Sequence, residues 1–275
     1  MPLTQFQREL LAVLAAERPT EKYLAGGAAL HFAPNSTRFS RDLDFFHDSV
    51  ERVATTFEVD RRRLEDAGYS VTLELSQPGF IRATVAGTSE ATIVDWAHDS
   101  AWRFMPLVRD AAGGLLLHPV DLATNKVLAL AGRDEPRDFI DILFVHERIL
   151  PLGAVCWAAV GKDPGFTPLS LLELLRRRGR HRPEDFARLD LVRAFDPVAA
   201  KEEWLAALDG ANEFIRTRPP DEVGCLYWSV QRNSFVMPPD NRAGNIVPHF
   251  GTPGGVLPQV PDDVKSSHTR LQGRR

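Results

Sequence analysis

Apolar residues recur along the first third of the chain with two distinct periods. Phe6, Leu10, Leu11 and Leu14 fall three and four apart over residues 5–16, which is the spacing of one helix face. Residues 22–25 read as a short strand running into Gly26 and Gly27. Residues 28–32 then begin a helix that Pro34 and Asn35 close. A second strand is predicted over 40–46, polar in its first half and apolar at its end. Residues 49–67 form a helix stopped by Gly68. Three strands rich in β-branched residues follow at 70–75, 79–85 and 90–96, with turns at Gln77-Pro78-Gly79 and Ala86-Gly87.

Beyond residue 120 the helical period takes over. Asp121 is placed as the N-cap of a helix over 122–130 that ends near Gly132. Asp134 is placed as the cap of the next helix, which carries Pro136 in its first turn and runs to about residue 150. Further helices are predicted over 169–178 and 197–208. From Pro238 onward Pro, Gly and Asn dominate, which predicts an extended or disordered tail. There is no internal repeat. The order predicts an α+β class: a mixed β-sheet flanked by helices, with a helical C-terminal region. The divisions expected are 1–150, 151–235 for the helical region, and 236–275 for the Pro/Gly-rich tail.

Composition narrows the possibilities. The apolar share of 44% and charged share of 25% are those of an ordinary globular chain with ample core. A formal net charge of −4 excludes a global basic field, so any nucleic-acid contact must be a local patch. The two cysteines, Cys156 and Cys225, make neither a disulfide framework nor a zinc spacing, which predicts a reducing compartment. The first 17 residues mix Gln, Arg and Glu with Leu and Ala, an amphipathic pattern unlike a signal peptide. No apolar run approaches the roughly 20 residues that span a bilayer. A cytoplasmic protein without membrane attachment is expected.

Four elements carry candidate chemistry. Gly26 and Gly27, between a strand and a helix, let backbone N–H groups approach a phosphate, though an ordinary tight turn would use the same pair. In Arg38-Phe39-Ser40-Arg41-Asp42-Leu43-Asp44-Phe45-Phe46, strand alternation puts Asp42 and Asp44 on one face. Two such carboxylates repel unless a cation lies between them, and hard oxygens suit Mg²⁺; the competing reading is a solvated strand edge. Asp95 ends the apolar strand 90–96 and would complete a carboxylate trio, or is a plain strand-end aspartate. Last come Asp121-Leu122-Ala123-Thr124-Asn125-Lys126 and Arg137-Asp138-Phe139-Ile140-Asp141, where Asp138 and Asp141 share a helix face. Buried there, they need Lys126 or Arg137 as partners, and a salt bridge fixing helix packing is the alternative to a catalytic role.

In this order the motifs resemble the AbiEii/AbiGii-type nucleotidyltransferase toxins of the polymerase-β-like nucleotidyltransferase superfamily, over roughly residues 20–150. The resemblance implies a nucleotidyltransferase fold and transfer of a nucleotide from an NTP to an acceptor hydroxyl. It implies Mg²⁺, with Mn²⁺ as a substitute, held by Asp42, Asp44 and Asp95. Gly26, Gly27, Arg38, Ser40 and Lys126 would contact the nucleotide, and Asp44, Asp95, Lys126 and Asp138 would serve catalysis. Gly27 stands where many superfamily members carry Ser. An RNA acceptor, tRNA foremost, and a cognate antitoxin follow as expected partners in a type IV toxin–antitoxin or phage-defence system. Transfer to a protein or small molecule is the alternative on the same fold; a catalytically silent nucleotide-binding module is the alternative of another class.

Other signals are weaker. The basic run Arg176-Arg177-Arg178-Gly179-Arg180-His181-Arg182 suits a helix C-terminus or an RNA backbone contact. The same pair of readings applies to Arg61-Arg62-Arg63. His47, soon after Asp44, reads as a surface histidine, with a nucleotide contact as the alternative, and His31 and His118 lack ligand-spaced companions. Phe39, Phe45 and Phe46 read mostly as core, with base stacking open to an exposed one.

Overall fold

The apolar runs of the first hundred residues assemble into one mixed sheet. A computed structural model of the protein describes residues 3–15, 22–32, 36–239 and 245–260. The chain forms two compact units: 1–101, 106–122 and 187–195 make the first, and 102–105, 123–186 and 196–275 the second. Residue 16, the helix-closing Pro34 and Asn35, and residues 240–244 and 261–275 of the tail lie outside the described residues.

In chain order the first unit contains α1 (Gln5–Ala15), β1 (Lys22–Ala25), α2 (Gly26–Leu30), β2 (Asp42–His47), α3 (Val50–Asp66), β3 (Ser70–Gln77), β4 (Phe80–Ala86) and β5 (Ala91–His98). After β6 (Trp102–Arg103), which falls in the second unit, β7 (Val108–Asp110) and β8 (Gly114–Leu116) complete it. The seven-stranded sheet has the order β3-β4-β5-β2-β1-β8-β7. β2 runs antiparallel to β1 and parallel to β5, and the helix α3 supplies the long connection that a parallel pair requires.

Alternation in β2 decides what faces where. Leu43, Phe45 and His47 are buried, whereas Asp42, Asp44 and Phe46 are half-buried on the opposite face. The buried face receives α3 through Val53, Phe57, Asp60 and Leu64. Phe57 meets Trp96 of β5 edge-on, ring centroids 5.1 Å apart. Within this layer Lys22 donates to both carboxylate oxygens of Asp60, and Trp96 Nε1 donates to the same group at 2.8 Å. Burial pushes the Lys22 ammonium down from its ordinary value, and the Asp60 charge opposes that shift.

His47, expected at the surface, instead lies in the same layer on the buried face of β2, fully buried, with no hydrogen-bond partner on either ring nitrogen among the described residues. Burial first, and then the Lys22 charge, push it down to about 4 from the ordinary 6.5. The folded protein therefore keeps His47 neutral, while the unfolded chain takes up a proton near pH 6.5. Stability should accordingly fall as pH drops from 6.5 toward 4, by about 3 kcal/mol over that window. Urea unfolding at steps between pH 7 and pH 4 checks this, because His47→Leu should lack that part of the slope.

The second unit contains α4 (Pro119–Arg133) from residue 123 onward, α5 (Pro136–Arg148), α6 (Leu152–Lys162), α7 (Pro168–Arg178), α8 (Pro183–Phe186) and α9 (Pro197–Thr217). The helix α6 was not legible by period: Leu152 to Val160 are all buried, so no polar face marks the turn spacing. Gly153 is the close-approach point, where a Cβ would lie 3.0 Å from Ala211 Cα of α9. Among the described residues no helix is long and apolar enough to cross a membrane.

Three expectations are corrected here. Asp121 sits in the first turn of α4 rather than capping it, because the helix begins at Pro119. Asp134 is not the cap of α5: it takes a left-handed backbone, φ +38°, between the helices, and Glu135 holds the cap position. The tail, where described, is not simply extended. Its β11 (Ile246–His249) joins β9 (Leu226–Ser229) and β10 (Ser234–Val236), strands at the end of the segment expected to be helical, in a three-stranded antiparallel sheet, and β12 (Thr252–Pro253) pairs with β6. His249 anchors it through a ring-nitrogen hydrogen bond to the Phe104 carbonyl at 2.9 Å.

Candidate functional site

The candidate site grows from the junction of β1 and α2. Gly26 adopts φ +61°, a conformation that favours glycine, and a Cβ there would lie 1.8 Å from Asp44 Oδ2. The register explains the approach, since Ala25 of β1 pairs with Asp44 of β2. The missing side chain of Gly26 is thus the space that the Asp44 carboxylate occupies. Gly27 plays the same part for the segment before β2: a Cβ there would meet Arg38 Nη2 at 2.6 Å and Ser40 Oγ at 3.1 Å. A serine at this position would require the Arg38 guanidinium, the far end of a flexible side chain, to shift. α2 itself is only five residues long.

The segment carrying Arg38 and Ser40 is held from several sides within the first unit. Gln7 of α1 donates to the Ser40 carbonyl at 3.0 Å and to Thr92 Oγ1 at 3.2 Å, and Thr92 donates to the Arg41 carbonyl at 3.1 Å. Residues 187–195, far along the chain, add backbone bonds from Phe39 to Asp190 and from Val192 to Thr37. Arg41 pairs with Asp190 at 2.8 Å. Ser40 Oγ lies 3.1 Å from Asp42 Oδ1 and 3.1 Å from the Asp42 carbonyl, tying the serine to the first aspartate.

Asp42 and Asp44 share the half-buried face of β2, as alternation requires. Their donor chemistry fits a hard cation of the Mg²⁺ type, which one or two carboxylates hold while water and phosphate oxygens complete the shell. Asp95 does not join them as an open third carboxylate. It lies beside Asp44 in the parallel register, but both its oxygens accept from Arg82 of β4, Nε at 2.8 Å and Nη2 at 2.7 Å. Among the described residues no three His, Cys, Asp or Glu side chains gather as a metal-binding group. Arg82 is the residue that the sequence reading missed. Its signal was a lone charge on the half-buried face of β4, whose Ile81, Ala83 and Val85 are buried.

Gly26→Ala tests the built contact between the turn and β2. The added methyl must displace the Asp44 carboxylate and also force the left-handed backbone, at about 1–2 kcal/mol. Transfer activity is expected to fall at least about tenfold, with the melting temperature a few degrees lower. Activity equal to wild type would show that the contact is dispensable.

Lys126, Asp138 and Asp141 lie in the second unit, on α4 and α5. All three are buried: Lys126 Nζ is 2.7 Å from Asp141 Oδ2 and 3.7 Å from Asp138 Oδ1. Arg133 grips Asp138 with two bonds, Nε at 2.6 Å and Nη2 at 2.9 Å. Arg133 is therefore a second cation of this network. Lys126 and Arg133 thus set two cations against the two buried carboxylates of α5.

The remaining candidates are ordinary. Arg61 pairs with Glu58 and Glu65 along an exposed helix face. Phe45 is buried, Phe46 half-buried and stacked on Tyr23, and Phe39 exposed. His118 Nδ1 accepts from the Val120 N–H at 3.3 Å.

Comparison with known proteins identifies the family and the fold. A family model described as "Nucleotidyl transferase AbiEii toxin, Type IV TA system" matches residues 10–223. MenT4, a nucleotidyltransferase toxin from Mycobacterium tuberculosis H37Rv, is 19% identical, with 78% of this chain and 83% of that chain covered and a TM-score of 0.52. A Helicobacter pylori crystal structure, described as a candidate nucleotidyltransferase, is 17% identical, with 77% of this chain and 96% of that chain covered and a TM-score of 0.50. At these identities the two structures establish a shared fold. No curated protein matches the chain. The family match spans the Gly26-Gly27 turn, the β2 aspartates and the Lys126 network together, so the chain belongs to the AbiEii nucleotidyltransferase toxin family and is a nucleotidyltransferase.

Proposed function

We propose that the protein transfers a nucleotide from an NTP to the 3′ hydroxyl of an RNA, with tRNA the foremost acceptor, as a toxin restrained by a cognate antitoxin. The observation that carries this reading is the placement of Asp42 and Asp44 on one strand face, with Asp44 seated against the Gly26 backbone. Asp42 and Asp44 would hold Mg²⁺. When bound, the ion would supply positive charge against the triphosphate and the leaving pyrophosphate. Gly26 and Gly27 leave room for a phosphate to approach backbone, and Arg38, buried beside Gly27 with Ser40, adds a fixed positive charge there. The acceptor hydroxyl attacks the α-phosphorus and pyrophosphate departs. Lys126 and Asp138 enter as matched positions of the family pattern; their buried ion pairs give them a structural part as well.

Incubating the protein with Mg²⁺ and each labelled NTP in turn, with purified tRNA or total RNA, tests the reading. Label on RNA 3′ ends, from one or a subset of the four nucleotides, is expected. Label on protein with none on RNA would overturn the RNA acceptor. Pyrophosphate release in no combination would overturn the transfer itself.

A further inference from the structure

Arg82 stands at the centre of a polar row that crosses three strands. The registers place Arg82 of β4 opposite Asp95 of β5, and Asp95 opposite Asp44 of β2. Across that row the charges alternate from guanidinium to carboxylate to carboxylate. Asp95 is 8% exposed and spends both oxygens on Arg82, whose side chain remains 40% exposed. The Arg82 guanidinium also lies 5.6 Å from the centre of the Phe80 ring, two residues back on the same strand. Its Nε and Nη2 are committed to Asp95, and the rest of the guanidinium lies on a side chain that remains partly exposed. Asp42 and Glu74 lie within its electrostatic range.

A guanidinium clamped bidentately, backed by an aromatic ring and open along one edge is pre-organised. The open edge carries donors that suit a phosphate oxygen. We propose that Arg82 is a phosphate-contacting residue of the active site, and that Asp95 is its positioning residue rather than a metal ligand. The phosphate belongs either to the bound NTP or to the backbone of the acceptor strand. This inference rests on the proposed transfer for its setting, but not for its test. It also gives a physical reason for a two-carboxylate cation site: the third acid of the row is already neutralised by Arg82.

Three variants test it: Arg82→Met removes the charge, Arg82→Lys keeps the charge without the fork, and Asp95→Asn releases the clamp. Each is titrated with Mn²⁺, read by the electron paramagnetic resonance of the free ion, and then with a non-hydrolysable NTP analogue. KM values for NTP and for acceptor RNA follow. Asp95→Asn should leave Mn²⁺ affinity within about twofold, whereas loss of a hydrogen-bonded charge should weaken one phosphate ligand by about tenfold or more. If the contact is to the NTP, Arg82→Met weakens the analogue and raises the NTP KM alone; if it is to the acceptor, only the RNA KM rises. Arg82→Lys should fall between, and it carries the test should Arg82→Met fail to fold. Loss of Mn²⁺ binding in Asp95→Asn would return Asp95 to the metal and overturn the assignment. Unchanged analogue affinity and both KM values unchanged in Arg82→Met would overturn it equally. The two titrations need no turnover, and RNA binding by the inactive protein, compared between wild type and Arg82→Met, reads an acceptor contact without turnover, so the two readings fail separately.

Discussion

Asp44→Asn should lower nucleotidyl transfer on the order of a thousandfold and leave the melting temperature within a few degrees of wild type. The side chain lies on the half-buried face of β2, so an amide of the same shape fits the pocket beside Gly26. Removing one of two neighbouring carboxylates also relieves repulsion with Asp42, so stability should not suffer. Catalysis is different, because a group that holds positive charge against a triphosphate acts where charge develops during the reaction, and removing one such group commonly costs on the order of 10²–10³ in rate. Pyrophosphate release with saturating NTP, beside a thermal melt, gives both readouts. Transfer at the wild-type rate would remove Asp44 from the site.

Lys126→Met should destabilise the fold by roughly 3–5 kcal/mol, which lowers the melting temperature by roughly 10 °C. Lys126 is buried and lies 2.7 Å from Asp141, itself fully buried. The substitution removes the Lys126–Asp141 ion pair from a buried site, while Arg133 still answers Asp138. Replacing both members, as Lys126→Met with Asp141→Leu, should recover much of the loss, because a matched apolar pair carries no buried charge. Urea unfolding of the single and double variants measures the coupling. A single variant that melts within about 2 °C of wild type would show that the network contributes little. Activity of Lys126 variants is to be read well below their melting point, where a loss of transfer reports on chemistry rather than on unfolding.

The two experiments bear on residues that were legible to different depths. β2 was readable because strand alternation is a local rule: once residues 42–46 form a strand, Asp42 and Asp44 share a face. The Gly26-Gly27 turn was equally local. Arg82 was not, because its importance comes from lying opposite Asp95 across a strand pair, and nothing in residues 79–85 states that register. The helix α6 escaped for the opposite reason, being apolar on every side. The strands of the C-terminal region were hidden by Pro and Gly, whose turn chemistry serves short hairpin strands as well as disorder.

The linear order of residues by itself determined the α+β class, the strand that presents Asp42 and Asp44, and the glycine turn between the first strand and the helix after it. Each of these depends on neighbours a few positions away, which is the range over which backbone periodicity and glycine stereochemistry act. Only the tertiary structure decided which charge answers which. It gave Asp95 to Arg82, Asp138 to Arg133, Asp60 to Lys22, and the segment 187–195 to the loop before β2. Those pairings join residues up to well over a hundred positions apart, and burial selects them by requiring every ionised group removed from water to find its opposite.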